Sequence, residues 1–346
     1  MELPRRVAAG DNIIRQVGAL LEDLELGRQS LILSGPNVKK EIGNELTKSL
    51  QDVGFKQEWG LVGPSTFQEV ERVTKLALER KVNFLIGVGG GKSIDIAKLA
   101  SFNVKVPFVS VPTSASHDGI SSPFGSVKGL DKPYSVVAKP PIAIVADTEV
   151  IAKAPYKLLI AGCGDLAAKL TAVKDWELSH IKTGEYYGRY SASLALLSAD
   201  LIIEDANIIS SHNKESVRVV VEALISSGVA AGIAGSSRPC SGSEHLFSHA
   251  MDIVAPGKGL HGERCGLGTI MMAKLHGMDY QSLRHSLKVM GLPTKAEEIG
   301  VTADEIVESL VLAREIRKER YTILDEVKLT KDSARSLAIE TGIIPS

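Results

Sequence analysis

At 346 residues the chain exceeds the roughly 250–300 at which one hydrophobic core usually divides, so two domains are expected. A net charge of −1, from 40 Lys and Arg against 41 Asp and Glu, supplies no basic surface for nucleic acid or anionic lipid. Three scattered cysteines, Cys163, Cys240 and Cys265, argue against a disulfide framework, and the lack of a Cys-x-x-Cys pair argues against a thiolate zinc site. No apolar region follows Met1 to Arg6, and the longest apolar stretch, read as Leu194 to Ile203, is interrupted by Asp200. Neither a signal peptide nor a transmembrane segment is expected, which predicts a cytoplasmic protein.

Taken in order, the first 150 residues alternate short apolar runs with helical patterns. A strand at 30–33 runs into Ser34-Gly-Pro-Asn37, and a helix is predicted over 39–50. A second apolar edge at 55–62 precedes a helix over 67–81, and Phe84 to Val88 reads as a buried strand. Three glycines, Gly89 to Gly91, follow, and helical spacing resumes at Lys92. Further buried strands are predicted at 107–111 and 141–146, with a loop or irregular hairpin at 120–137 rich in serine, glycine and proline. Such alternation predicts a parallel sheet covered on both faces, with ligands bound beyond the carboxyl ends of the strands. After residue 151 the strand pattern stops. Helices are predicted at 156–173, 187–209, 214–231, 243–253, 263–277, 281–290, 303–320 and 331–341, with a capping box at Thr302–Glu305 and an N-cap at Thr330.

Two places carry chemistry. The strand, glycine turn and helix start at 84–92 form an anion site by type, because free N–H groups and the helix dipole both favour phosphate. The turn misses the P-loop pattern at Ile86 and the dinucleotide glycine pattern at Lys92, so a tight connection without ligand stays open as the alternative. In the helical half, His245 and His249 are four apart and share a helix face. His261 follows among glycines, and Asp165 lies upstream in Gly162-Cys-Gly-Asp-Leu-Ala-Ala-Lys169. Two histidines and a carboxylate would leave an open position on zinc. Spacing alone leaves a structural histidine pair as the alternative.

The motifs at Gly89–Lys98, Pro112-Thr-Ser-Ala-Ser-His-Asp-Gly119, Gly164–Lys169, His245-x-x-x-His249 and Leu260-His-Gly-Glu263 occur together in one order. In this the chain resembles the glycerol dehydrogenase, iron-type alcohol dehydrogenase and dehydroquinate synthase superfamily, and within it the sn-glycerol-1-phosphate dehydrogenases. The resemblance implies an α/β architecture: a Rossmann-like parallel-sheet domain at 1–150, an all-helical domain at 151–346, and an active site in the cleft between them. It implies NAD(P)H held by Gly91, Lys92, Ser93, Ile94, Asp95, Thr113, Ser114, Ala115 and Ser116, with Ser122 also in contact. Asp165, His245 and His261 would bind one zinc ion (Zn2+) per subunit. Asp118, Asp165 and His249 would bind substrate, with Asp118 and His249 as candidate catalytic proton carriers. The implied reaction is reduction of dihydroxyacetone phosphate to sn-glycerol 1-phosphate, the backbone of archaeal membrane phospholipids, by a homo-oligomer. A glycerol dehydrogenase or a dehydroquinate-synthase-like lyase is the alternative within the superfamily. Phe124-Gly125 departs from the family pattern, which carries a basic and a small residue there. Ser34 to Asn37 offers no acidic residue to repel a 2′-phosphate, so use of both NADH and NADPH is expected. Lys128, Lys132, Arg238, Lys258 and Arg264 are the basic candidates for the substrate phosphate.

Overall fold

The computed structural model describes residues 2–127 and 135–346, so Lys128, Gly129 and Lys132 of the expected loop lie outside the described residues. The chain divides into two compact units, Met1–Pro155 and Tyr156–Ser346.

In the first unit β1 is Arg6–Gly10, followed by α1 Val17–Glu22, β2 Gln29–Ser34, α2 Pro36–Asp52, β3 Lys56–Leu61 and α3 Phe67–Glu79. Then come β4 Phe84–Gly89, α4 Gly91–Val104 and β5 Phe108–Pro112. The short strands β6 Phe124–Ser126 and β7 Ser135–Val137 pair antiparallel, so this stretch is a hairpin. β8 Ala143–Asp147 and α5 Thr148–Ala152 complete the unit. Six strands form a parallel sheet in the order β1-β8-β5-β4-β2-β3. After β3 the chain crosses back over β2 to β4, and such a reversal leaves a crevice beyond the carboxyl ends of the neighbouring strands. Every residue of β4 and β5 is buried, as a sheet covered on both faces requires. Only β1 was not legible as a strand. Its five residues are mostly half-buried, and it pairs with β8 along one edge alone.

The second unit contains α6 Tyr156–Thr183, α7 Arg189–Glu204, α8 Ala206–Ser210, α9 Lys214–Ala234, α10 Ser243–Val254 and α11 His261–Leu275. It ends with α12 Tyr280–Met290, α13 Ala303–Ile316, α14 Ile323–Val327 and α15 Lys331–Glu340. The first helix continues past the expected Val173, because Trp176 and Ser179 keep one stripe buried. The helix expected over 187–209 breaks at Asp205, and α14 was not foreseen. The capping box holds: Glu305 N–H donates to Thr302 Oγ1 at 3.2 Å and Thr302 N–H to Glu305 Oε2 at 2.8 Å. By length and composition α9 could cross a membrane, which corrects the choice of Leu194 to Ile203 as the longest apolar stretch. It is a core helix here, with 56% of its most apolar window buried.

Two helices of this unit approach with no room for side chains between them. A Cβ on Gly164 of α6 would stand 2.1 Å from the Gly262 carbonyl oxygen, and one on Gly262 of α11 only 1.7 Å from the Ala161 carbonyl oxygen. Glycine at these positions is what lets the two backbones touch.

Candidate active site

The first unit presents its site at the glycine turn. Gly89 has φ +141°, a conformation that L side chains rarely adopt. Gly90 caps α4 without a side-chain hydrogen bond, so the first N–H groups of α4 keep no intrahelical acceptor. The loop after β5 folds over this helix start. Thr113 N–H donates to the Gly89 carbonyl at 3.0 Å, and a Cβ on Gly90 would lie 3.0 Å from Ser114 Oγ. A Cβ on Gly91 would collide with His117 Nε2 at 2.0 Å. Backbone donors, the helix dipole and three glycines that carry no side chain of their own fit an anionic phosphate group.

The expected cofactor residues divide by what their side chains do. Ser93, Ile94, Asp95, Ser114, Ala115 and Ser122 are buried, Thr113 and Ser116 are half-buried, and Lys92 is exposed. The Asp95 carboxylate faces inward, accepting Ser126 N–H at 3.2 Å and pairing with Lys98 Nζ at 3.5 Å. Lys98, missed in the sequence reading, is fully buried and donates to the carbonyls of Gly119 at 2.8 Å and Phe124 at 2.5 Å. Burial lowers its pKa, against the opposing pull of Asp95 and Asp118. This lysine ties the segment carrying Asp118 and Ser122 to α4. Asp118 opens a short 3-10 turn through Ile120, and its carbonyl accepts N–H bonds from Ser121 and Ser122, each at 3.0 Å. Ser122 Oγ donates to the Phe124 carbonyl at 3.3 Å.

In the second unit the structure brings Asp165, His245 and His261 together. Asp165 Oδ1 is 3.3 Å from His245 Nε2 and 3.9 Å from His261 Nε2. Its other oxygen, Oδ2, lies 3.2 Å from Lys169 Nζ, one turn on along α6. The carboxylate is thus divided between a histidine side and a lysine side. Burial alone would raise its pKa, but Lys169, His245 and His261 outweigh it and hold Asp165 well below the usual carboxylate range. Each imidazole is oriented from behind. His245 Nδ1 is 2.8 Å from Glu244 Oε1, and Glu244 is fully buried, accepting also from Gly242 N–H at 2.7 Å and Thr171 Oγ1 at 2.8 Å. A proton on Nδ1, held by Glu244, would leave Nε2 to face a bound cation, the tautomer of metal-bound histidines. His261 Nδ1 stands 3.3 Å from Ser248 Oγ and plays the same part more weakly.

Burial works against a charged His245, yet Cys265, Asp165 and Glu244 overcome it and raise this ring well above the usual histidine range. Positive charge is favoured at that spot. Burial, together with the neighbouring His245, holds His261 well below the usual value and therefore neutral. A fourth donor completes the cluster: ligand atoms of Asp165, His245, His261 and Cys265 all lie within 4.8 Å of one another. The donor types and spacing fit zinc. Zinc removal from Glu244→Gln protein is predicted to be about tenfold easier than from the unmodified chain, because orienting partners of metal-bound histidines carry that order of affinity. A chelator competition titration, with melting temperature as the fold control, checks it.

His249 stands outside this set, its ring 6.5 Å from that of His245 and 6.1 Å from that of His261. Burial lowers its pKa, against the opposing pull of Asp252, so the ring is neutral. Three of the basic residues considered for the substrate phosphate are already engaged. Arg238 is buried against Glu185, Ser179 and the Tyr321 carbonyl, Lys258 pairs with both oxygens of Glu305, and Arg264 donates to Asp252 at 2.7 Å.

The family model of the iron-containing alcohol dehydrogenases matches residues 8–155. A protein of Nitrosopumilus maritimus named glycerol-1-phosphate dehydrogenase [NAD(P)+] is 50% identical over 344 residues, covering 99% of this chain and 97% of that one. The protein of the same name from Thermococcus sibiricus is 48% identical, with 99% and 98% covered. Among solved structures, glycerol dehydrogenase from Schizosaccharomyces pombe superposes with a TM-score of 0.82 at 21% identity, over 99% of this chain and 90% of that one. A probable glycerol dehydrogenase from Sinorhizobium meliloti does so at 0.79 and 22%, over 98% and 96%. These structures share the fold.

Proposed function

Because the chain belongs to the NAD(P)-dependent glycerol-1-phosphate dehydrogenase family, we propose that it reduces dihydroxyacetone phosphate to sn-glycerol 1-phosphate, using NAD(P)H and one zinc ion per subunit. The observation that carries this is the Asp165–His245–His261 cluster, its aspartate and His245 buried and His261 half-buried, in a chain this similar to proteins of that name. A ketone reduction needs stabilisation of the charge that develops on the C2 oxygen as hydride arrives, and zinc held by these three residues would supply it as a Lewis acid.

The chain's own residues do the rest. The free N–H groups at the start of α4 and the Thr113–Ser116 loop hold the cofactor diphosphate. Asp95 and Lys98 lock the segment through Ser122 against α4, so that Ser122 can meet the cofactor from a fixed position. In unit 2, Asp165 keeps one oxygen on Lys169 and would offer the other to the cation. Asp118 and His249 hydrogen-bond the substrate, and proton transfer to the C2 oxygen runs through one of them. A neutral His249 has one nitrogen to donate from and one to accept at. The product supplies the glycerophosphate backbone of membrane lipids.

The deciding experiment is chiral analysis of the product from dihydroxyacetone phosphate with NADH and NADPH in parallel. The sn-1 enantiomer is expected with both cofactors, NADPH and NADH differing in kcat/KM by less than about a thousandfold, or roughly 4 kcal/mol. The sn-3 enantiomer would overturn the proposal, as would preference for unphosphorylated glycerol in the reverse direction or phosphate release without net oxidation of NADH.

A further inference from the structure

Cys265 is buried at the metal cluster, and neither the reaction nor the family-level ligand set calls for it. Buried thiols commonly act as small apolar groups, and the other two cysteines of this chain behave so. Cys163 is fully buried in α6 with its thiol pushed up to about 12 by burial, and Cys240 Sγ donates to the Ser227 carbonyl at 3.2 Å. Cys265 differs in what it faces. It lies one helical turn after His261, so both project from the same face of α11. Its Sγ is 3.6 Å from His261 Nε2.

The distances can be compared with those of a zinc tetrahedron. With Zn–S of about 2.3 Å and Zn–N or Zn–O of about 2.05 Å, tetrahedral angles place sulfur and nitrogen about 3.6 Å apart, and two N or O donors about 3.3 Å apart. Three of the six edges are 3.6 Å for Cys265–His261, 3.3 Å for His245–Asp165 and 3.9 Å for His261–Asp165, and the other three are within 4.8 Å. Two edges match and the third is slightly open. Sulfur is moreover a donor that zinc accepts readily.

We propose that Cys265 is a fourth protein ligand of the zinc bound by Asp165, His245 and His261, making the resting site an Asp-His-His-Cys tetrahedron. This rests on the metal-dependent reading above. A set of four protein ligands leaves no vacant tetrahedral position, so substrate oxygen is admitted either by expansion to five ligands or by release of the thiolate. The cysteine thereby protects the ion between turnovers.

The test uses the purified full-length protein with its metal exchanged for Co2+, whose thiolate complexes show a sulfur-to-metal charge-transfer band in the near ultraviolet. The unmodified protein is expected to show the band. Cys265→Ser should lose it while still binding cobalt, and Cys240→Ser should keep it. Zinc affinity of Cys265→Ser, measured by competition with a chromogenic chelator, should fall by at least about tenfold. Cobalt bound to unmodified protein without the band overturns the inference and leaves the three-ligand reading intact. A band that persists in Cys265→Ser also overturns it. Failure of cobalt to bind at all overturns both. Because the first measurement needs no substitution, poor folding of a variant cannot decide the outcome.

Discussion

Asp165→Asn protein is expected to contain almost no zinc after purification and to lose at least about a thousandfold in kcat/KM, since Lewis-acid polarisation of the ketone supplies several kcal/mol. The side chain keeps its volume but loses the charge that two histidines and a lysine converge upon. The substitution has a second effect that should be separated from the first. Lys169 is fully buried, and removing the carboxylate at 3.2 Å from its ammonium breaks a buried ion pair, at a cost of about 3–5 kcal/mol. The single variant will therefore melt well below the unmodified protein. Replacing both partners, as in Asp165→Asn with Lys169→Met, removes the buried positive charge as well and should recover most of the melting temperature. Zinc content and activity should stay lost. If the double variant regains zinc, Asp165 is not the ligand inferred here; metal analysis and calorimetry on the same samples decide.

Gly262→Ala is predicted to be nearly as damaging, from a residue that offers no side-chain chemistry. The added methyl group meets the Ala161 carbonyl oxygen at 1.7 Å, and backbone cannot rotate aside as a side chain can. Either α11 or α6 must move. Overpacking of this kind costs about 1–3 kcal/mol or more, which for a unit of this size lowers the melting temperature by roughly 2–4 °C per kcal/mol. The functional loss should exceed the stability loss. Asp165 projects from α6, while His261 and Cys265 project from α11, so separating the helices opens the ligand set directly. Zinc affinity should fall by at least about tenfold, as it does when ligand orientation is disturbed. Unchanged zinc affinity in a folded variant would show that the contact does not position the ligands.

How much of this was readable in advance follows from where each signal lies. The parallel sheet was legible because β2, β4, β5 and β8 are short apolar runs closed by glycine, proline or aspartate. β1 was not, since an edge strand with mostly half-buried positions need not show a continuous apolar run. The metal residues could be picked by type, but their assembly depends on a helix crossing that spacing does not encode. Two partners did carry a signal that was passed over. Lys169 follows Asp165 by four residues and Cys265 follows His261 by four, the same spacing that drew attention to His245 and His249. The absence of a Cys-x-x-Cys neighbour speaks only against sites built wholly of thiolates; the sulfur of Cys265 nevertheless lies in the donor cluster. Glu244 could not have been found this way. Adjacent residues on a helix do not face each other, yet its carboxylate reaches the ring of His245.

The pairing of β1 with β8 has a consequence for how the polypeptide reaches its native state. Arg6 is in register with Ala143, and Gly10 with Asp147, so β1 is synthesised well before its partner and joins it only after almost the whole unit has been made. Contacts between Ile14 N–H and Asp147 and between Thr148 and Asp11 close at the same late moment. Contacts so distant in sequence make for slow folding. Until they form, β5, which is wholly buried in the finished sheet, stands as an uncovered apolar edge, the kind of surface that recruits other chains. Nascent chains stalled before Ala143 should therefore be the aggregation-prone species in its biosynthesis. Synthesis that pauses after residue 155, once β8 and β1 can cover β5, would be the safer schedule.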